Sequence, residues 1–252
     1  MEKKKCLLSF VGLSRSYLEC FENIKQNIIL NNLENFDFHI NVNTDLENTQ
    51  TKKWSDINVS PIEKKIFEEN LKKIYDGFIK NISYLHIDVD SKSGTELFRE
   101  RCKFIFNLEK DEFYDLYIFI RFDVIISKNI NLLNFLPINS KMKLSFITGG
   151  HMNKNRLDHL YDWDYCWIGD KESVYKWLTY YSPITPSREE VIETFKQVNG
   201  FNGVYIRDII KGGNLYESWV NNYWKIFYNL LRLECNVSFE CEKDEIFLKI
   251  VR

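Results

Sequence analysis

The chain has 252 residues, of which 44% are hydrophobic and 28% charged, so it has the composition of a globular protein that buries a substantial core. Its formal net charge of −2 gives no electrostatic reason to expect a nucleic-acid partner or a polybasic membrane anchor. The apolar run after the lysines at positions 3–5 is too short for a signal peptide or a transmembrane helix. We expect a single domain spanning residues 1–252, located in the cytoplasm.

The first part of the chain predicts strands that alternate with helices. A strand over Cys6 to Val11 ends in Gly12-Leu13-Ser14-Arg15, and apolar residues then recur at helical spacing from Tyr17 to Ile29. Phe36 to Val42 alternates apolar and polar residues as a strand does, and leads into a polar segment, Asn43 to Ser55.

Two capping boxes predict the next two helices. Ser60-Pro61-Ile62-Glu63 predicts a helix with Ser60 as its N-cap and an end near Gly77. A short strand is expected over Tyr84 to Val89, and Ser93-Gly94-Thr95-Glu96 then begins a helix that continues to Leu108.

A buried strand, Leu116 to Ile120, is followed directly by Arg121-Phe122-Asp123. In open α/β sheets ligands bind at the carboxyl ends of the strands, where these two charged residues are expected. A carboxylate with a neighbouring guanidinium suits a divalent cation that carries a phosphate, because Asp supplies an oxygen ligand and Arg binds phosphate oxygens bidentately. The alternative is an ion pair at the end of a strand, with no further role.

In the second half of the chain the sequence pattern predicts fewer helices and strands. Strands are expected at Lys143 to Thr148 and at Ile246 to Val251, and helices at Glu172 to Tyr181 and from Ser187 to about Gln197. The first of these strands ends in Gly149-Gly150-His151, which indicates either backbone close to a ligand or a tight turn.

The region from Asp158 to Gly169 combines aromatic side chains with carboxylates. Aromatic rings stack on the apolar face of a sugar, carboxylates accept hydrogen bonds from its hydroxyl groups, and one carboxylate can act as general base toward an acceptor hydroxyl. Asp162 and Asp164 are the candidates for such a base. The alternative is the edge of a core, with solvated aspartates.

Metal and disulfide sites are not indicated by the Cys and His pattern. No Cys-x-x-Cys pair and no helical His pair occurs, which argues against a zinc site and predicts reduced, mostly buried thiols. The six cysteines are Cys6, Cys20, Cys102, Cys166, Cys235 and Cys241.

These elements predict an α/β protein with a mainly parallel central sheet. The order of its motifs resembles the GT-A-type glycosyltransferases found in large DNA viruses and bacterial surface-polysaccharide clusters. The motifs are Gly12-x-x-Arg15, Tyr114-Asp115 before Arg121-x-Asp123, Asp164-x-x-x-Ile168-Gly169 before a helix, and the closing Ile250-Val251-Arg252.

This resemblance implies a GT-A-like three-layer sandwich with helices on both faces of the sheet. It also implies a nucleotide-sugar donor, a glycan or glycoprotein acceptor and a divalent metal, Mn²⁺ or Mg²⁺, held through an Asp-x-Asp-type motif. For a viral protein the expected location is the host cytoplasm.

The resemblance assigns roles to individual residues. Asp123 matches the second acid of the metal motif and would bind the metal and the donor diphosphate, whereas Arg121 occupies the place of the first acid. Asp164, or its neighbour Asp162, would be the base of an inverting enzyme. The other expected contacts to the nucleotide sugar are Gly12 and Arg15 in the first loop, Arg101 on the helix facing the nucleotide, and Gly150 and His151 beside the donor sugar.

Two other functions remain open from the sequence. A sugar-phosphate nucleotidyltransferase uses similar α/β loops, although its first loop is normally rich in glycine and basic residues, unlike Gly12-Leu13-Ser14-Arg15. A non-catalytic carbohydrate-binding protein could share the same fold.

Overall fold

The computed structural model describes residues 2–14, 17–46, 63–87, 94–137, 143–147, 166–179, 190, 236–240 and 248–250. Its strands are β1 (Lys4–Leu13), β2 (Phe36–Asp45), β3 (Ile79–Tyr84), β4 (Leu116–Arg121), β5 (Val124–Ile126), β6 (Lys143–Ile147), β7 (Cys166–Gly169), β8 (Asn236–Glu240) and β9 (Leu248–Ile250). Its α-helices are α1 (Tyr17–Ile24), α2 (Lys64–Tyr75), α3 (Gly94–Leu108) and α4 (Lys171–Thr179). A π-helical segment, Lys25–Ile29, and a 3-10 turn, Leu30–Asn32, continue α1, and a second 3-10 turn covers Leu132–Phe135.

Seven of the described strands form one sheet in the order β3-β2-β1-β4-β7-β6-β8. The pairs among β3, β2, β1 and β4 are parallel, and β6 pairs parallel with β8. Only β7 runs against its neighbours in this sheet. A separate pair joins β5 to β9 in antiparallel register. The predicted mainly parallel sheet is therefore confirmed.

Helices cover both faces of this sheet. On one face Phe10 of β1 packs against Phe21 of α1 and Tyr75 of α2, with ring centroids 4.6 and 5.4 Å apart. On the other face, Phe106 of α3 packs against Tyr117 of β4. From α4, Trp177 packs against Phe119 of β4 and stacks on Trp167 of β7 at 3.9 Å. The predicted α/β fold with helices on both faces is confirmed.

The centre of the sheet shows why the sequence folds in this way. Cys6 to Val11 of β1 and Leu116 to Ile120 of β4 are buried because both faces are covered, and all of them except Ser9 are apolar, so they do not alternate with exposed polar residues. Each apolar side chain removed from water contributes about 1.5–3 kcal/mol, which makes these strands the centre of the core.

The start of α2 differs from the prediction. Glu63 has an extended backbone and makes no side-chain capping bond, and the helix begins at Lys64. A capping box needs its Glu inside the first turn, so the predicted role of Glu63 is wrong. The first side chain of α2 to be buried is Phe67, and the helix begins only one turn before it. Ser60 and Pro61 lie outside the described residues.

The predicted strand Tyr84 to Val89 is also misplaced. The strand lies earlier, at Ile79–Tyr84, where polar residues obscured its pattern. One of them, Lys80, is paired with Glu109, and another, Ser83, accepts a hydrogen bond from Asn43 of β2. These partners come from distant parts of the chain, so a local pattern does not indicate them.

The four cysteines that the structure describes are buried and free, as predicted. Burial raises the pKa of each thiol above its ordinary value, which makes these cysteines poor nucleophiles. Cys235 and Cys241 lie outside the described residues. No described helix is long and apolar enough to cross a membrane.

Asparagine side chains bind the segment that follows β4 to helix α1 and its continuation. Asn23 exchanges two hydrogen bonds with the backbone of Ile126. The buried Asn32 donates to the carbonyl oxygens of Ile28 and Ile130, both at 2.7 Å, and accepts from the backbone N–H of Leu132 at 2.9 Å. These bonds fix the backbone just beyond Asp123.

Replacing Asn32 by alanine is expected to lower the free energy of unfolding by about 2–3 kcal/mol, because three buried hydrogen bonds are lost: those to the carbonyl oxygens of Ile28 and Ile130 and the one from the N–H of Leu132. Chemical denaturation measures this. The matched control is Asn31→Ala at the exposed neighbouring position, where a single 3.1 Å bond to Ile130 is lost and a change within about 0.5 kcal/mol is expected. Equal effects of the two variants would contradict the assigned role of Asn32.

Candidate functional site

Polar side chains collect where β1, β2 and β4 reach their carboxyl ends. The register places Asn43 of β2, Val11 of β1 and Arg121 of β4 in one row across the sheet. Side chains of paired residues in parallel strands point to the same face. Asn43 contacts α3 through Arg101, so the row lies on the α3 face.

Arg101 joins the ends of β2 and β3. Its guanidinium donates to Asn43 Oδ1 at 3.0 Å and to the carbonyl oxygen of Leu85 at 2.8 Å, and Nη2 lies 4.0 Å from Asp45 Oδ2. The residue is only 3% exposed. Burial lowers the pKa of Arg101 and the Asp45 charge opposes that change, but a guanidinium stays protonated at neutral pH. The predicted contact residue is thus a buried cation at the sheet edge.

His86 completes this group of polar side chains. Its Nδ1 lies 2.9 Å from Asp45 Oδ2, and its side chain is 69% exposed, whereas that of Asp45 is 3% exposed. We name Asn43, Asp45, His86 and Arg101 the Asp45 cluster. Its carboxylate can accept and its imidazole and guanidinium can donate hydrogen bonds, which suits the base and ribose of a nucleotide.

Arg121 and Asp123 bind one another at the end of β4. Nε of Arg121 donates to Oδ1 of Asp123 at 2.8 Å, and Nη2 donates to Oδ2 at 2.6 Å. The Asp123 side chain is 6% exposed and that of Arg121 is 23% exposed. The ion pair that the sequence left as an alternative is therefore present, and the cation is its more accessible member.

This pair does not fit the divalent cation that the resemblance implies. Hard cations take several oxygen ligands, whereas both oxygens of Asp123 accept bonds from a positive group, and Arg121 stands in the place of a second acid. Within the described ranges no group of three or more His, Cys, Asp or Glu side chains could hold a metal ion. The metal at Asp123 stays a prediction, without support from the described donors.

Gly12 adopts a backbone conformation that other residues avoid. Its φ is 117°, one residue before the end of β1, and no described atom lies within 4 Å of the position that a Cβ would occupy. The glycine is thus required by its backbone angle rather than by a close contact, and a side chain there would cost on the order of 1–3 kcal/mol in strain.

Five predicted site residues lie outside the described residues, so their placement stays a prediction: Arg15, Gly150, His151, Asp162 and Asp164. Of the others, Arg101 lies beside Asn43, and Arg121 lies in the same row of the sheet as Asn43.

Three members of the Asp45 cluster were missed by the sequence analysis, namely Asn43, Asp45 and His86. The polar residues of β2 continue with period two through Asn41, Asn43 and Asp45, all on one face of the sheet. This alternation indicates that the strand extends to Asp45, whereas the predicted strand ends at Val42 and is followed by a polar segment.

Comparisons with known proteins do not show the family. No family model matches this chain, and no curated protein matches it. Among the 208 matching chains of solved structures is a "putative nucleotide-diphospho-sugar transferase" from Desulfovibrio desulfuricans G20. It is 13% identical, the match covers 94% of this chain and 80% of that chain, and the TM-score is 0.43. A likeness at this level carries no argument about function.

Proposed function

We propose that this chain is a glycosyltransferase that moves a sugar from a nucleoside-diphosphate sugar to a hydroxyl group of a glycan or glycoprotein acceptor. The observation that carries the proposal is the placement of Asp45, Arg101 and Arg121 on one face of the sheet, at the carboxyl ends of parallel strands. This edge is where open α/β sheets bind their ligands.

The spacing of these residues suits an extended nucleotide. β2 and β4 flank β1, so about 10 Å separate the strands that carry Asp45 and Arg121. We assign the nucleoside to the Asp45 cluster, whose exposed member is His86. We assign the diphosphate to the end of β4, where Arg121 offers a partly exposed cation.

The acceptor side of the reaction rests on the resemblance alone. Asp164, or Asp162, is the proposed base that removes a proton from the acceptor hydroxyl in an inverting reaction. No metal is included in this proposal, because the described residues do not fit one.

Donor binding and turnover test the proposal together. The protein is incubated with a panel of nucleoside diphosphates and their sugars, with and without Mn²⁺, and thermal stability and donor hydrolysis are measured. We expect one base to be preferred and stabilisation of about 2.7 kcal/mol at 100 times Kd. Stabilisation by no member of the panel would contradict the proposal, and so would pyrophosphate release from a nucleoside triphosphate and a sugar phosphate.

Asp45→Asn is the informative variant in this assay, because it keeps the shape of the side chain and removes its charge. We expect it to weaken nucleotide binding about tenfold or more. The matched control is Asp37→Asn, at the exposed amino end of the same strand, which is expected to bind like the wild type. Equal affinity of both variants would place the nucleoside elsewhere.

A further inference from the structure

The charge arrangement at the end of β4 is unusual for a site that would hold a cation. The carboxylate of Asp123 is buried behind the guanidinium of Arg121, and both of its oxygens accept hydrogen bonds from that group. Such a two-point ion pair is both strong and strict in geometry. A divalent cation at Asp123 would have to displace Arg121 or bind beside its positive charge.

The same arrangement suits a negatively charged ligand. Of the five N–H groups of a guanidinium, two are used by Asp123, which fixes the plane of the Arg121 head group. The Arg121 side chain is the more exposed member of the pair, and Arg121 lies at the carboxyl end of a parallel strand, in the same row of the sheet as Asn43 of the Asp45 cluster. A cation held in this way is preorganised for phosphate oxygens, which a guanidinium binds bidentately.

We propose that Arg121 takes the place of the metal ion and binds the donor diphosphate directly, and that Asp123 orients the Arg121 guanidinium instead of ligating a cation. This inference rests on the proposed glycosyltransferase function and specifies which group balances the negative charge of the donor diphosphate. It predicts an enzyme that binds its donor without a divalent metal.

The transfer step balances without a metal. The bond between the anomeric carbon and the β-phosphate oxygen breaks, and its electron pair stays on that oxygen. The acceptor oxygen forms the new bond to the anomeric carbon, and its proton passes to a base. Arg121 neither gains nor loses a proton, and its positive charge stabilises the negative charge that develops on the leaving diphosphate.

Calorimetry of nucleoside-diphosphate binding tests the inference. The wild type is titrated once with excess chelator and once with excess Mn²⁺, using the base that the donor panel selects. We expect the two affinities to agree within about threefold, because no bond of the proposed site involves the metal. A loss of tenfold or more in the chelator would overturn the inference.

Variants at Arg121 provide the second arm. Arg121→Gln is expected to weaken binding about tenfold to a hundredfold in both buffers, and Arg121→Lys to recover part of that loss by restoring the charge without the bidentate geometry. Lys103→Gln removes a positive charge from an exposed position of α3 and is expected to bind like the wild type. Wild-type affinity of Arg121→Gln would overturn the inference.

A folding defect is distinguished from a binding defect by a double variant. Arg121→Gln alone leaves the buried Asp123 carboxylate without its cation, whereas Arg121→Gln/Asp123→Asn removes both charges. The double variant is expected to regain stability but not affinity, and a return of affinity would overturn the inference. If nucleoside diphosphates bind the wild type in neither buffer, the proposed function fails as well, whereas binding only with Mn²⁺ overturns this inference alone.

Discussion

Replacing Glu109 by alanine is expected to lower the free energy of unfolding by about 3–5 kcal/mol, as measured by chemical denaturation. Glu109 is 5% exposed at the end of α3. Its Oε2 accepts from Lys80 Nζ at 2.5 Å and from the Tyr114 hydroxyl at 2.9 Å, and its Oε1 accepts from Asn41 at 2.8 Å. The variant leaves all three donors without the acid, including a partly buried ammonium group.

Glu112 offers a matched control, because it contacts the same ammonium group. Its Oε1 lies 3.7 Å from Lys80 Nζ, but its side chain is 53% exposed. An ion pair of this kind contributes about 0–1 kcal/mol, so Glu112→Ala is expected to change stability by less than about 1 kcal/mol. Similar losses in the two variants would show that charge alone, and not the buried hydrogen bonds, determines the effect.

The contribution of Glu109 is expected to depend on pH. Burial acts to raise its pKa, but hydrogen bonds from Lys80, Asn41 and Tyr114 together with the Lys80 charge lower it below the ordinary value. A lowered folded-state pKa gives stability that is present above the unfolded-state pKa, near 4.3, and that is lost as the pH falls through the folded-state value. The difference in stability between wild type and Glu109→Gln should therefore shrink below about pH 4.

The ion pair between Lys80 and Glu109 is also expected to lose its contribution to stability at high pH. Burial acts to lower the pKa of Lys80, but its hydrogen bonds to Glu109 and Tyr114 raise it above the ordinary value. A raised folded-state pKa gives stability that is present below the unfolded-state value, near 10.4, and that is lost as the pH rises through the folded-state one. The full contribution of the pair is thus expected between about pH 5 and pH 10. If the difference in stability between wild type and Glu109→Gln stayed constant down to about pH 2, the lowered pKa of Glu109 would be contradicted.

The central strands could be predicted from the sequence because their information is local. β4 is a continuous apolar run that needs both faces covered, and this pattern alone indicates a buried strand. The Arg121–Asp123 contact was among the sequence alternatives for the same reason, since its partners are two residues apart. A contact whose partners lie within one short segment can therefore be predicted from the sequence.

The Asp45 cluster could not be predicted in full because its information is not local. The end of β2 is polar, a pattern that is also typical of a loop. In the structure Asn43 is buried because Arg101, 58 residues further along the chain, donates a hydrogen bond to it. His86 was placed inside a strand, whereas it follows one and is exposed. Burying a polar group is favourable only with a partner in place, and the partner belongs to the tertiary structure.

Replacing Arg101 by methionine is expected to lower the free energy of unfolding by about 3–5 kcal/mol, because the buried Asp45 carboxylate and the Leu85 carbonyl lose their cationic partner. Lys103→Met is the matched control, at an exposed position two residues further along α3. It is expected to change stability by less than about 0.5 kcal/mol.

The double variant Arg101→Met/Asp45→Asn separates stability from ligand binding. It removes the buried Asp45 charge along with the guanidinium, so it should recover a large part of the stability that Arg101→Met loses. If the Asp45 cluster only held β2, β3 and α3 together, nucleotide affinity would recover in parallel. If the cluster binds the nucleoside, as proposed, the double variant is folded but still binds at least about tenfold more weakly than the wild type, because the acceptor carboxylate is gone. Denaturation and calorimetry are carried out on the wild type, Arg101→Met, Lys103→Met and the double variant. Together they decide whether Arg101 and Asp45 only stabilise the fold or also bind a ligand.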